Sequence, residues 1–561
     1  MSESLDSVNR RWILAYGAAS GTLAVTGLSA QPASIAANLK VTVTANGATS
    51  TYPGGPQMPS YYVGIRSDGR VVFHLGALGD LTKPSAQPNP YNLGPHHVKI
   101  EKDGNVLLDA DIPSHWWNAE WTYRPQPIAI KRTPAQIVAA NRMFPYGDTG
   151  AKAEPPTNYV FKGPMDSAGI TIYMPTTGER ADIGLITDPS AYYMLSEKPG
   201  PMLAWAQAAG SCPMHFRDEK TGKPIDLIRY PRANSYSQDK QGAPWLMPGI
   251  PDTRAPAFRG FGGGWTPQQA HYCEMSYLAH VATLDAGFLE DLQYSANFTV
   301  LCDGYMSGSR NIATVFGEYR GIAWAFRNLF MAHVATKDAE TAGTLPTTCH
   351  PSSYWKKLLD NQLAYYTQTY QNNPNNQTFR LVSGGNRFGP WQADYMLTAL
   401  AFGVLTGHSD WAPLYLWALK NAIDRTSGMS GYPPGYGGAY YLNTVPYKLD
   451  TSGKTIKDDF DFRKPQFTWK DAFLYQQIDP ESSGLTQMQI DKLTADPLNG
   501  GTAMTGREYL MTTRAALVMA AHLEKKGLAN IRGIYPELDK CIANVTRMTR
   551  GSVNLRTSVV M

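Results

Sequence analysis

Ala279-His280-Val281-Ala282-Thr283-Leu284-Asp285-Ala286 returns further along the chain as Ala332-His333-Val334-Ala335-Thr336-Lys337-Asp338-Ala339. Each copy closes one helical stretch just before another begins. Looser echoes follow in residues 399–410, where Leu405-Thr406-Gly407 makes the turn, and in residues 515–527. A phrase that repeats across a turn makes a helical hairpin the building unit, and repetition of this kind decides architecture before any single side chain does.

Periodicity on either side of the phrase supports the hairpin. Thr266-Pro267-Gln268-Gln269 reads as a capping-box start, with an N-cap hydroxyl, a proline in the first turn and a glutamine three residues on. His271, Met275, Leu278 and Ala282 then share one helical face, and residues 287–301 run back with Phe288, Leu292, Ala296 and Phe298 available for burial. A second unit pairs 316–336 with 352–370, and a third pairs 390–406 with 411–425. The fourth opens with another capping box, Thr505-Gly506-Arg507-Glu508, and closes with 536–548. Weaker pairs at 189–210, broken at Pro199, and 467–493, broken at Pro480, raise the expectation from four hairpins to as many as six.

The front of the chain reads differently. Val41-Thr42-Val43-Thr44, Tyr61-Tyr62-Val63-Gly64-Ile65, Val71-Val72-Phe73-His74 and His97-Val98-Lys99-Ile100 alternate or run apolar between turn signals such as Ser67-Asp68-Gly69 and Lys102-Asp103-Gly104. An antiparallel β-sandwich is expected over residues 1–132. Ahead of it, Asn9-Arg10-Arg11-Trp12-Ile13-Leu14 and the Ala/Gly-rich stretch to Ala30 resemble a twin-arginine secretion leader. Thr22-Leu23-Ala24-Val25-Thr26 instead alternates as a first strand does, and a chain kept whole from Met1 favours that reading. The stretch is too polar for a membrane span.

Residues 133–260 are rich in Pro, Gly and Tyr. They contain a further capping box, Thr133-Pro134-Ala135-Gln136, and two polar clusters, one around Glu179 and Arg180 and the other at His215-Phe216-Arg217-Asp218-Glu219. A structureless connection of that length is improbable, so ordered segments wrapping the helical domain at 261–561 are expected.

Composition narrows the function classes. Lys+Arg 50 against Asp+Glu 46 leaves a charge of only +4, without the imbalance that marks nucleic-acid or anionic-membrane binders. The chain is 43% hydrophobic, ample for large cores, and its excess is aromatic, with 32 Tyr and 13 Trp. Tyr432 and Tyr436 sit in a Gly/Pro loop suited to stacking on sugar rings or to packing down on itself. The five cysteines have no CxxC spacing, which argues against zinc; Cys273 and Cys302 could be neighbours across a hairpin, as a disulfide or as buried thiols. There is no GxSxG, GxxxxGK[ST], HExxH or EF-hand loop, and neither metal nor cofactor is expected. Arg259-Gly260-Phe261-Gly262-Gly263-Gly264 lacks a preceding strand and reads as a tight turn rather than a nucleotide site.

A β-rich front followed by repeated helical hairpins with aromatic, Gly-rich loops resembles the (α/α)-toroid carbohydrate-active proteins, six-hairpin glycosidases and polysaccharide lyases, over residues 189–549. Residues 33–44 resemble the opening strands of immunoglobulin-like (Ig-like) modules of surface and phage proteins. Tyr173-Met174-Pro175-Thr176-Thr177-Gly178-Glu179-Arg180 and Trp265-Thr266-Pro267 are similar to uncharacterised phage and prophage proteins. The toroid resemblance implies a polysaccharide partner.

Aligning the repeats on Thr283, Thr336 and Thr406 places His271, Trp324 and Asp394 at one equivalent position, which in a toroid faces a central cavity. Glu318, Tyr319 and Arg320 lie nearby, and Arg327 aligns with Glu274 one turn deeper. β-Elimination on a uronate polymer would use His271, Tyr319 and Arg320 as base, proton donor and carboxylate neutraliser. Inverting hydrolysis would use Glu318 with Asp394. Trp265, Trp324, Arg327, Trp391, Tyr432, Tyr436, Glu179 and Arg180 are the candidate substrate contacts, whereas His280 and His333, beside the turns, are not expected to act. The expectation is therefore a protein that depolymerises a bacterial surface polysaccharide, extracellular or periplasmic if the leader is real. The alternative is a non-catalytic virion or surface component with a glycan-binding toroid, joined to other such proteins through its β module.

Overall fold

Leu39, Val41, Val43 and Ala45 are buried and the residues between them are not, the alternation by which a strand lays one face on a core. The computed structural model that contains this strand describes residues 38–55, 58, 61–76, 92–147, 159–174, 180, 183–218, 220–229, 262–301, 319–376, 378–381, 387–436, 442–443, 447–449, 455–457, 468–470, 488, 491, 495, 507–549 and 555–561. The expected leader or first strand at 1–37, the opening of the 33–44 segment, Glu179, Cys302, Glu318, the Thr505 capping hydroxyl and nearly all of 467–493 lie outside the described residues.

Strand β1 (Leu39–Ala45) pairs with β2 (Ala48–Tyr52), and a further hairpin joins β6 (His96–Lys102) to β7 (Asn105–Ile112). Both turns are two-residue, Asn46-Gly47 and Asp103-Gly104, with positive φ at every position, as the right-handed twist of a hairpin demands. The first sheet runs β2-β1-β6-β7. The second runs β3-β4-β9, from β3 (Tyr61–Ile65), β4 (Val71–Leu75) and β9 (Ala119–Tyr123), and the short strands β5 (Asn92–Leu93) and β8 (His115–Trp116) pair beside them. All these pairings are antiparallel. The four strands expected from the alternation are present. β2, β7 and β9 come in addition to them, and β7 is exposed along most of its length although it carries Val106, Leu107 and Leu108.

Strand β4 is buried on both faces. Phe73 stacks on Trp121 at 4.0 Å within the sheet's own core, whereas His74 on the opposite face meets His215 and Tyr294. That second face is where the helices dock.

Eleven α-helices follow among the described residues. Helix α1 (Pro134–Ala139) carries the complete capping box: Thr133 N donates to Gln136 Oε1 at 2.9 Å and Gln136 N donates to Thr133 Oγ1 at 3.3 Å. Helices α2 (Asp188–Ser196) and α3 (Gly200–Ala208) part where Glu197 turns left-handed (φ 60°), just before Pro199. Four hairpins come next: α4 (Tyr277–Thr283) with α5 (Ala286–Leu301), α6 (Tyr319–Thr341) with α7 (Ser352–Tyr366), α8 (Pro390–Leu405) with α9 (Ala412–Ser427), and α10 (Arg507–Lys525) with α11 (Leu538–Thr549). α6, α8 and α10 pack side by side, backed by α7, α9 and α11. α8 lies in the middle of this layer and is buried along its whole length. A Cβ on its Gly403 would stand 2.6 Å from the Phe330 ring, so glycine is what lets α6 and α8 approach.

Two local expectations are corrected. No helix starts at Thr266. Its hydroxyl instead accepts from Met174 N at 3.0 Å and its N–H donates to Ile172 O at 2.9 Å, which ties down a wrapping strap; a short 3₁₀ turn at Gln269–His271 follows and α4 begins only at Tyr277. The repeated phrase also adopts two conformations. In the first copy Leu284 is left-handed (φ 61°) and ends the helix. In the second the helix runs on through Lys337 and Asp338 to Thr341, with Gly343 (φ 67°) beyond it. Asp285 explains the first stop: its carbonyl accepts from His280 Nδ1 and its carboxylate accepts from Gly287 N and Arg124. Asp338 in the second copy takes both arms of the Arg142 fork on the helix surface.

The β part and the helices share one continuous buried core, and their seam is polar. Glu290 on α5 receives Arg66 at 2.9 Å and Arg70 at 3.0 Å, Asp291 receives His215 Nε2 at 3.0 Å, and Arg217 lies 3.5 Å over the Tyr62 ring. Among the described residues no helix is long and apolar enough to cross a membrane. Because the buried Glu290 carboxylate answers the buried Arg70 and the partly buried Arg66, Glu290→Ala should cost about 3–5 kcal/mol of unfolding free energy. Urea titration would read this as a lower midpoint, and an unchanged midpoint would show that the seam does not depend on the carboxylate.

Candidate functional site

Leaving the helix early brings His271 to α6 from the side. His271 Nε2 accepts from Arg320 Nη2 at 2.6 Å, and its Nδ1–H donates to the Gln268 side-chain carbonyl. The lone pair a general base would use is thus occupied by a guanidinium. Arg320 also donates through Nε to Ala270 O at 2.6 Å and lies 5.1 Å over the Trp391 ring. Arg180 reaches the same place, with Nη1 on Met174 O and Nη2 on His271 O. Of the residues singled out in the sequence, His271, Arg320, Arg180 and Trp391 are brought together.

Trp324 and Arg327 lie along the same helix. Trp324 is enclosed, its ring 4.7 Å from Tyr395, which itself lies 5.8 Å from Trp391. Arg327 stacks on Trp324 at 4.5 Å and donates to Gly184 O at 2.6 Å and Tyr272 O at 3.1 Å. Burial brings this guanidinium down to about 10 and pushes the neighbouring Glu274 carboxyl up to about 7. Glu274 accepts from Tyr277 N, capping α4 in the role expected of Thr266. The Tyr319 hydroxyl accepts from Leu381 N at 2.9 Å, and burial raises its pKa. Arg180, Arg320 and Arg327 therefore all spend donors on main-chain carbonyls, those of Met174, Gly184, Ala270, His271 and Tyr272, fixing these irregular segments beside α6.

Asp394 is held separately. It is fully buried, with Arg425 Nη2 at 2.5 Å and the Thr513 hydroxyl at 2.6 Å, so its two oxygens join α8 to α9 and α10. Burial still raises its pKa. His271 sits in a 3₁₀ turn while Trp324 and Asp394 sit on helices, so the three are not equivalent positions of one repeat. Trp265 is buried, Tyr432 packs edge-on to Trp469 at 5.3 Å, and Tyr436 closes a short 3₁₀ turn. His280 holds the Asp285 carbonyl, and His333 Nδ1 donates to His408 Nε2 at 2.7 Å. Among the described residues no group of three or more His, Cys, Asp or Glu side chains could hold a metal ion. Cys212, Cys273, Cys349 and Cys541 are buried and form no disulfide among the described residues.

An open groove of about 570 Å³ lies elsewhere, where the end of α7, the loop before α8, the C-terminal half of α9 and the start of α11 converge. Helix α7 ends in a π-helical turn, Thr367–Gln371, a distortion frequent at functional sites, and Gln371 lines the groove. Asn373, Asn376 and Phe379 continue that wall. Phe379 is half-buried and left-handed (φ 54°), a conformation that costs on the order of 1–3 kcal/mol in a non-glycine residue. Its ring meets Trp417 edge-on at 5.6 Å, and Lys420 Nζ lies 4.9 Å over it.

The strained loop is secured from below. Asn376 brackets Arg380, donating to its carbonyl at 2.6 Å and accepting from its N–H at 3.1 Å. Asn421 donates to Thr378 O at 2.7 Å and accepts from Arg425 Nε at 3.0 Å, which links the loop to Asp394. Asp424, Trp469 and Glu537 also line the groove. Asp424 takes Lys420 at 2.6 Å, yet burial, helped by the charge of Glu537, leaves its pKa raised.

The sequence reading missed this groove. The signal available to it was the polar run Gln371-Asn372-Asn373-Pro374-Asn375-Asn376-Gln377 between two hairpin helices, amide-rich where a connection need only be short. The chain matches no family model, no curated protein and no solved structure.

Glu274 provides a pH test of the strapped cluster. Its folded pKa of about 7 lies above the ordinary 4.5, so its contribution to stability is full below pH 4.5 and is lost as pH rises through 7. Glu274→Gln should therefore gain on the wild type across that window, and the gap in melting temperature should widen from pH 4.5 to 8. A gap that stays constant with pH would show that Glu274 is not held in this state.

Proposed function

We propose that the protein is a glycan-active enzyme that binds a polysaccharide in the α9 groove and shortens it by hydrolysis. The observation that carries this reading is Phe379, half-buried and strained beside Trp417, in an open groove walled by amides. Aromatic faces stack on the apolar faces of sugar rings, and beside them Gln371, whose Nε2 reaches Pro413 O at 3.3 Å, lines the groove with an amide oxygen of the kind that accepts from sugar hydroxyl groups. A backbone outlier at a ligand-facing aromatic fits a site selected for geometry rather than for stability.

The chemistry falls to Asp424 and Glu537. A carboxyl whose pKa is raised is suited to protonating a leaving oxygen, which here assigns the general acid to Asp424. Glu537 then acts as base, taking a proton from water as the water oxygen bonds to the anomeric carbon. Asp424 gives its proton to the departing glycosidic oxygen, so one water is consumed for each bond cut. Elimination is less well supported, because the guanidinium and imidazole groups it would need, Arg320 and His271, are turned toward each other and toward main-chain carbonyls.

Within this proposal the two antiparallel sheets form an Ig-like sandwich. The row α6, α8 and α10 forms the inner staves of an (α/α) toroid, with α7, α9 and α11 outside. The substrate class is bacterial surface polysaccharide, met outside the cytoplasm.

Incubation with neutral and acidic exopolysaccharides should release new reducing ends without unsaturated products. Trp417→Ala should weaken polysaccharide binding at least about tenfold, equal to about 1.4 kcal/mol. Asp424→Asn should bind like the wild type and release reducing ends at least about a hundredfold more slowly. Unsaturated ends would replace hydrolysis by elimination. Binding without shortening would leave a structural glycan-binding component, and undiminished binding by Trp417→Ala would remove the groove from the reading.

A further inference from the structure

The charges around the groove are unequal. Among the described residues that line it, Asp424 from α9 and Glu537 from the start of α11 are carboxylates and Lys420 is the one cation. That ammonium is committed on two sides, to Asp424 Oδ1 at 2.6 Å and to the face of Phe379 at 4.9 Å. Other cations close to these helices are also engaged. Arg425 is buried against Asp394, and Arg532 is bonded to Glu524 and to both oxygens of Asp539. The remaining polar side chains of the lining, Gln371, Asn373, Asn376, Ser427, Ser430 and Thr468, are neutral.

Resting on the reading of the groove as a sugar site, we infer that it selects glycans without carboxylates, neutral or amino sugars, and rejects uronic acid polymers. A uronate carboxylate in this groove would leave water to face the Glu537 carboxylate, with the Lys420 ammonium already paired to Asp424, and specificity built by repulsion is as effective as specificity built by contact. A neutral hexose or N-acetylhexosamine places hydroxyl and amide groups against the Asn and Gln wall at no electrostatic cost. The ammonium of a hexosamine gains from Glu537, which is partly exposed and forms no ion pair among the described residues. The specificity-determining residue is thus Glu537, and the determinant is its charge.

Calorimetric titration of the full chain with hexamers of N-acetylglucosamine, glucosamine and mannuronate tests this. In 20 mM salt the mannuronate hexamer should bind at least about tenfold more weakly than either of the others, with the gap narrowing in 0.5 M salt as like-charge repulsion is screened. Glu537→Gln should shrink the gap severalfold, and Glu537→Lys should bring mannuronate level with N-acetylglucosamine. Mannuronate binding as tightly as the neutral hexamer to the wild-type protein would overturn the charge selection while leaving a sugar site in place. A gap indifferent to both Glu537 variants would overturn the role given to that residue. If none of the hexamers binds and Trp417→Ala behaves as the wild type, the glycan reading fails and the selectivity falls with it.

Discussion

Asp394 and Arg425 form an ion pair from which water is wholly excluded, and the helical half of the protein is organised around it. Removing two charges from water is expensive, and their attraction offsets this only when the remaining lone pairs and protons are also satisfied. Here one carboxylate oxygen receives Arg425, the other receives Thr513, and the Arg425 Nε–H goes to Asn421. The pair therefore joins three helices at one point, α8 with its hairpin partner α9 and its neighbour α10. Through Asn421 and the Thr378 carbonyl it also reaches a surface loop. That connection explains how Phe379 can be kept in a left-handed conformation: the strain in the loop is opposed by a buried network whose rearrangement would expose a charge to an apolar interior.

A similar economy governs the seam between sheet and helices. An apolar seam would let the two parts slide, whereas Glu290 with two arginines and His215 with Asp291 fix the register of β4 against α5. The straps follow the same logic with different chemistry. Three arginines direct N–H groups at main-chain carbonyls, satisfying irregular backbone that has no ladder partner of its own. The irregular segment at 269–275 can then lie buried against α6.

Much of the architecture was legible because it rests on local physics. Asn46-Gly47 and Asp103-Gly104 can adopt the positive φ values of tight hairpins, Thr133 and Gln136 cap reciprocally, and the hairpin helices appear where apolar period and turn residues agree. The failures came where a residue had two uses. Thr266 has the chemistry of an N-cap but gives its hydroxyl to Met174, a contact more than ninety positions away in the chain. Leu284 and Lys337 occupy the same place in a repeated phrase, yet only Leu284 turns left-handed, because Arg124 and His280 hold Asp285 there. Local pattern cannot distinguish these cases, since the deciding partner belongs to another segment.

The same limit explains why the repeat pointed to His271, Trp324 and Asp394 rather than to the groove. Repetition reports what each hairpin must do to pack, and positions that recur in the inner helices are the ones most in demand for burial. Trp324 and Asp394 are accordingly among the most enclosed side chains of the chain, and His271 is bound into the strap that covers them. A ligand site needs the opposite, side chains that packing does not consume, and those arise in connections that have no counterpart in the other hairpins. The loop from Gln371 to Arg380 is such a connection: polar, strained at Phe379 and tied to the core through Thr378 and Asn376. Its asparagines hold the loop's own backbone, whereas the left-handed ring of Phe379, kept beside Trp417 in an open groove, is the feature that packing alone does not require.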